Sequence, residues 1–185
     1  RSRGLGDVYK RQGEYGMSAL YKSKEDVKEY ICGYARAMLK AGFLYSTSEE
    51  HEAFIAFKSS KESLGIGAAS ELIKAVIRTM RFRDMIKLVK LAKKGGESYE
   101  DSLKKAKKPY VFVGMLVVRR KYQGQGYMRK VLDIAYEEGK KLGCPVLLDT
   151  DAALKRDKYV HLGMKNVRTR KFDEGIVLYD LAKED

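Results

Sequence analysis

The sequence predicts an α/β (α+β) fold: a mixed, mostly antiparallel central sheet flanked by helices, with a basic helical insertion. Three observations point to it. Short apolar runs joined by polar turns read as antiparallel hairpins near both ends of the chain. One near-continuous apolar run, Tyr110 to Val118, has the character of a buried central strand. Amphipathic stretches with helical spacing alternate with these strands. The chain has 185 residues, 44% of them hydrophobic and 34% charged. That is one domain's length with enough apolar content to bury a core, and too apolar for a disordered chain.

Each element follows from local pattern. Ser23 to Ala41 reads as a helix, with Ser23 and Asp26 at capping-box spacing and Gly42 as its stop. Phe43–Thr47 and Ala53–Lys58 flank the polar turn 48–52 and form a hairpin; His51 at its tip reads as a solvated loop residue. Ala68 to Lys94 is helical and basic, with an apolar stripe of Leu72, Ile73, Val76, Ile77 and Met80 and a break near 81–84. Residues 97–108 are polar, with room for a short helix. After the strand Tyr110–Val118 comes a polar glycine-bearing loop, 119–125, and then a helix from Gly126 to Leu142 ended by Gly143. Val146–Leu148 is a short buried strand and Asp151–Leu162 a helix. Met164–Arg170 and Ile176–Leu181 are two strands around an Asp-Glu-Gly turn.

Composition narrows the function classes. No run approaches the ~20 apolar residues of a membrane-spanning helix, and no signal peptide is visible. Cys32 and Cys144 form no disulfide framework or metal-ligand spacing, and there are two histidines, His51 and His161. We therefore expect a cytoplasmic protein without a metal centre. The formal net charge is +13, which favours anionic partners: a phosphorylated cofactor, nucleic acid or an acidic membrane surface. Residues 1–12 carry part of that charge, and Asp7–Gln12 resembles a translated sequencing-adapter end. We expect segment 1–12 to be a non-native or disordered tail and 13–185 to form a single domain. Without the tail the charge is still about +10.

The informative unit is strand–loop–helix. Gly124 and Gly126 open a helix after a buried strand, so free backbone N–H groups gather at the positive end of a helix dipole. That is an anion cradle. The third glycine of a dinucleotide fingerprint and the Gly-Lys-Ser/Thr of a phosphate loop are both missing.

At Gln123-Gly124-Gln125-Gly126-Tyr127-Met128 the sequence resembles the pyrophosphate signature of the GNAT family of N-acetyltransferases. A second landmark of that family, Tyr-x-x-Leu-Gly-Phe, is matched by Tyr159-Val160-His161-Leu162-Gly163-Met164. The resemblance covers 110–183 well, with 110–163 as the acetyl-coenzyme A core and 68–108 as a helical insertion. Two departures stand out: Met128 replaces the usual small residue, and Ala152 replaces an asparagine seven residues before the tyrosine.

The resemblance implies a GNAT-like fold, acetyl-coenzyme A as co-substrate, and direct transfer of the acetyl group to a small-molecule or protein amine. It implies that Gln123, Gly124, Gln125, Gly126, Tyr127, Met128 and Arg129 bind the pyrophosphate. The edge of Leu116, Val117 and Val118 would receive the pantetheine. Tyr159 takes the general-acid position, protonating the leaving thiolate. Asp149, after the strand 146–148, takes a position where some members hold a base, with Asp151 and a water relay as competitors. The Lys and Arg residues are scattered and no nucleic-acid motif interleaves them, so nucleic acid is not the expected partner. A basic binding module for nucleic acid or an acidic membrane surface is the other class, and a fold that has lost turnover a third. Homodimers are common for this fold.

Overall fold

A computed structural model of the chain describes residues 21, 23–80, 83, 86, 96–172 and 176–184. The tail 1–12 and most of the basic stretch 81–95 lie outside the described residues, as do the expectations placed on them.

Helix α1 (Lys24–Ala41) begins where the sequence predicts. Ser23 Oγ accepts from the backbone N–H of Asp26 at 3.0 Å, and Gly42 at φ 77° closes the other end. Only glycine adopts that angle without strain, and it lets Phe43 N reach Met38 O at 2.8 Å. Strands β1 (Leu44–Ser46) and β2 (Ala53–Ser59) form the expected antiparallel hairpin. His51 is exposed at its tip.

Helix α2 (Ile66–Thr79) corrects the reading of its stretch. It starts two residues earlier than expected and ends at Thr79, with Met80 already extended at φ −114°, ψ 142°. Its buried side is also rotated. Ala68, Ala75 and Thr79 face inward, while Ile73 and Ile77 of the predicted apolar stripe are 58% and 65% exposed. Size decides here rather than hydrophobicity. α2 packs so closely on α1 that a Cβ on Gly33 would overlap the Ala75 Cβ, and a larger residue has no room on that line.

Helix α3 (Tyr99–Lys105) is short and held by a capping box between Ser98 and Asp101. Strand β3 (Val111–Val118) leads through the 3-10 turn Arg120–Tyr122 into helix α4 (Tyr127–Leu142). Strand β4 (Val146–Thr150), helix α5 (Ala153–His161), and strands β5 (Lys165–Lys171) and β6 (Val177–Lys183) complete the order.

The described strands form one sheet in the order β1-β2-β3-β4-β6-β5, antiparallel except where β3 meets β4. Alternation along the strands divides the core. Val111, Val113, Val146, Leu148 and Leu181 pack with Val131, Leu132 and Ala135 of α4 on one face. Ala56 with Met38 and Phe43, and Leu147 with Leu103 and Tyr110, make smaller clusters on the face carrying α1 and α3.

Candidate active site

The sheet parts at its centre. β3 and β4 pair at only two positions, Val111 with Val146 and Phe112 with Leu147. Beyond Phe112, β3 runs six residues further with β2 on one side and, among the described residues, a bare edge on the other. The β2–β3 register shifts between Ala56 and Phe57, which leaves Gly114 as the extra residue of a bulge. Pairing resumes with Met115 opposite Ala56 and Val117 opposite Phe54, and Arg119 N donates to Glu52 O. By alternation Leu116 and Val118 turn their backbone groups to the bare edge. Their side chains pack on the α4 core, and Val117 is 40% exposed on the opposite face. Gln123 Nε2 donates to Val118 O at 3.1 Å, so one carbonyl of that edge is already engaged.

The glycine loop lies at the end of this edge. Gly124 and Gly126 have φ of 78° and 82°, angles that an L side chain rarely takes. Gly126 is the N-cap of α4 and lends no side-chain bond to it. The first helical bonds come from Arg129 N and Lys130 N, both to Gly126 O. The backbone N–H groups of residues 124–128 find no acceptor among the described residues. Gln125 Nε2 pins the loop to Lys121 O at 2.9 Å. Lys121 and Lys130 sit over the rings of Tyr122 and Tyr127, and Arg129 is exposed. Met128 is half-buried. The Tyr127 phenol faces Glu52, whose carboxyl is held down to about 2 by the hydroxyls of Thr47 and Ser48, each donating at 2.7 Å.

Across the sheet stands Asp149, inside β4 rather than just after it. Its side chain is 46% exposed and lines a recess with Tyr99, Phe112, Arg170 and Asp180 packed around its base. That enclosure pushes its carboxyl up to about 6; Asp180 and Glu100 add to the rise and Arg170 opposes it. A cavity of about 20 Å³ adjoins it, lined by Tyr99, Phe112, Leu147, Arg170 and Asp180, room for about one water. Tyr34 of α1 reaches the same gap. Its phenol lies so close to Gly114 that a Cβ there would overlap the oxygen. Burial pushes Tyr34 up to about 12, with Tyr30 and Asp149 contributing.

The predicted site residues thus fall into two groups. Leu116, Val118 and the loop Gln123–Arg129 meet at one end of α4. Tyr159 packs on the same face, against the core beneath α4 and beside Tyr136, whose hydroxyl donates to Leu162 O at 3.2 Å. Asp149 is on the opposite face. Asp151, its competitor, pairs with Lys155 at 3.7 Å. Cys144 is buried, which pushes its thiol up, and His161 is exposed. Sequence reasoning missed Tyr34, Gly114, Arg170 and Asp180. A glycine inside an apolar strand and a carboxylate inside another were the available signals. Among the described residues no group of three His, Cys, Asp or Glu side chains gathers to hold a metal. No described helix is long and apolar enough to cross a membrane.

The comparisons say which known folds share this open sheet parting. Residues 95–161 match the model of the acetyltransferase (GNAT) family, a span that holds all of Gln123–Met128 and ends within the Tyr159 motif. The fold is shared with the mosquito arylalkylamine N-acetyltransferase like 5b at 15% identity and TM-score 0.55, over 96% of this chain and 92% of that one. It is shared with arylalkylamine N-acetyltransferase 2 from Aedes aegypti at 12% identity and TM-score 0.52, over 80% and 76%. A shorter match at 23% identity and TM-score 0.35, over 40% of this chain, is the ribosomal-protein-S18-alanine N-acetyltransferase from Escherichia coli, of which the chain spans 53%. No curated protein matches the chain. The resemblance to the GNAT acetyltransferases is therefore shown, and the fold is theirs.

Proposed function

We propose that the protein is an N-acetyltransferase that uses acetyl-coenzyme A and an amine acceptor. One observation carries this reading: unpaired N–H groups and a bare strand edge meet at a gap in the sheet, with a carboxylate of raised pKa on its far side. The residues fit the coenzyme. The cradle offers donors without acceptors, and a Cβ on Gly124 or Gly126 would meet open space rather than protein, the room a phosphate needs. When bound, the coenzyme supplies a thioester whose acetyl group passes to the amine nitrogen, forming an amide and releasing a thiol.

The chain's own residues do the rest. The N–H groups of 124–128 and the charge of Arg129 hold the diphosphate. The backbone of Leu116 offers a donor and an acceptor to the coenzyme's amides. Asp149, ionised above about pH 6, takes the proton of the incoming ammonium. Tyr159, in the position its family motif assigns, gives its phenolic proton to the departing sulfur. Acceptors of the neighbours' type, small amines, and protein amines both belong in the first test. That test is a thiol-release assay with acetyl-coenzyme A and a panel of amines. Release that depends on the amine supports the reading. Coenzyme binding without release by any amine would reduce the protein to a binding fold, and no coenzyme binding would remove the reading altogether.

A further inference from the structure

Asp149 does not face the gap alone. Arg170, on β5, is 9% exposed in its side chain and donates from Nε and Nη2 to Asp180 Oδ1 at 2.9 and 2.7 Å. Asp180, on β6, is 6% exposed, and its other oxygen accepts the backbone N–H of Tyr99 at 2.8 Å. The same Nη2 of Arg170 stands 3.5 Å from Asp149 Oδ2. Sheet register brings the three together: Asp149 is opposite Asp180 across β4–β6, and Arg170, opposite Leu178, lies two residues along β5 from Arg168, the cross-strand partner of Asp180. Asp180 is therefore the fixed anchor, Arg170 the arm, and Asp149 the exposed end of one three-strand relay.

We propose that Arg170 is a positioning residue for Asp149: anchored on buried Asp180, it holds the Asp149 carboxylate at the gap and keeps it anionic for the acceptor amine. This rests on the reading of Asp149 as the base. The buried arginine is a physical necessity for Asp180 as well as a device for Asp149, because buried Asp180 without it would be a poorly compensated charge. The charged and titratable groups around Asp149 are Arg170 from β5, Asp180 from β6, Glu100 from α3 and Tyr34 from α1. Arg170 is the cation among them. An opposite charge within ~4–6 Å favours the carboxylate by 1–3 pH units, and sharing with Asp180 puts this one at the low end.

The test reads the Asp149 carboxyl directly, by carbon NMR titration, its signal assigned by loss in Asp149→Asn. In parallel the acidic limb of kcat/KM is followed with the best amine. Arg170→Gln is expected to raise the NMR midpoint by about one pH unit. Arg170→Lys, which keeps the charge, is expected to restore it most of the way. Asp180→Asn removes a competing anion and is expected to lower it. The kinetic limb is expected to follow each shift. An unchanged midpoint in folded Arg170→Gln, or shifts of the same sign for Arg170→Gln and Asp180→Asn, would overturn the proposal and leave the base reading intact. If Arg170→Gln does not fold, Asp180→Asn decides: a midpoint that rises or stays unchanged would overturn the proposal. Midpoints that move while the kinetic limb stays put would overturn the base reading, and the positioning role with it.

Discussion

Gly114→Ala tests the closest approach in the site. The new methyl would overlap the Tyr34 phenol oxygen, with Cζ at 3.0 Å and Cε1 at 3.8 Å behind it. The tyrosine belongs to α1, which packs tightly on α2, so the helix cannot simply retreat. Overpacking of this kind costs ~1–3 kcal/mol, offset by ~0.4–1 kcal/mol because alanine narrows the unfolded ensemble. A net loss of about 1–2 kcal/mol is expected. Tyr34→Phe alone should cost little, since the hydroxyl has no hydrogen-bond partner among the described residues. In that background the nearest atom becomes the ring carbon at 3.0 Å, a contact that a small ring shift relieves. The alanine should then cost about 1 kcal/mol less, a coupling of the size neighbouring side chains show. Urea denaturation of the four proteins measures it. A Gly114→Ala protein as stable as the parent, or an identical cost in both backgrounds, would refute the packing described.

Three further outcomes are expected. Gly126→Glu should abolish coenzyme A binding in calorimetry, whereas Gly126→Ala, which carries the same backbone strain without the charge, should retain most of it. Equal affinities in the two would move the diphosphate elsewhere. Tyr159→Phe should lower kcat by ~10²–10⁴-fold with melting temperature and coenzyme affinity nearly unchanged, read by single-substrate kinetics beside a thermal melt. Below about pH 6 Asp149 takes up a proton and ceases to be a base, so kcat/KM should fall as pH drops through that value; Asp149→Asn should remove the limb along with most of the rate.

What could be read from sequence was local. Ser23, Gly42, Gly126 and Gly143 mark helix ends by short-range chemistry, and the loop 123–129 takes its shape from its own glycines. The side of α2 that turns inward could not be read, because it depends on how small Gly33 is, and Gly33 lies on another helix. The surroundings of Asp149 were hidden for the same reason. Arg170 and Asp180 meet across the β5–β6 hairpin, while Tyr34 and Tyr99 come from helices far away in the chain. Asp180 sits between Tyr179 and Leu181 in an apolar strand, which marks a buried charge in need of a partner but does not say which one.

A sheet that divides in its interior has four rims instead of two, and each is a place where a foreign strand could attach. The outer two are defended. β1 is three residues long, and β5 carries Lys165, Arg168 and Lys171, positive charges that disfavour pairing with another copy there. The inner two lie at the parting. Helices α1 and α4 cover the two faces beside them. An added strand, which carries side chains above and below its plane, would have to fit them beside α4 on one face and the Tyr34 ring on the other. A thin unbranched molecule has fewer such groups to place, so the same parting is easier for it to enter than for another strand.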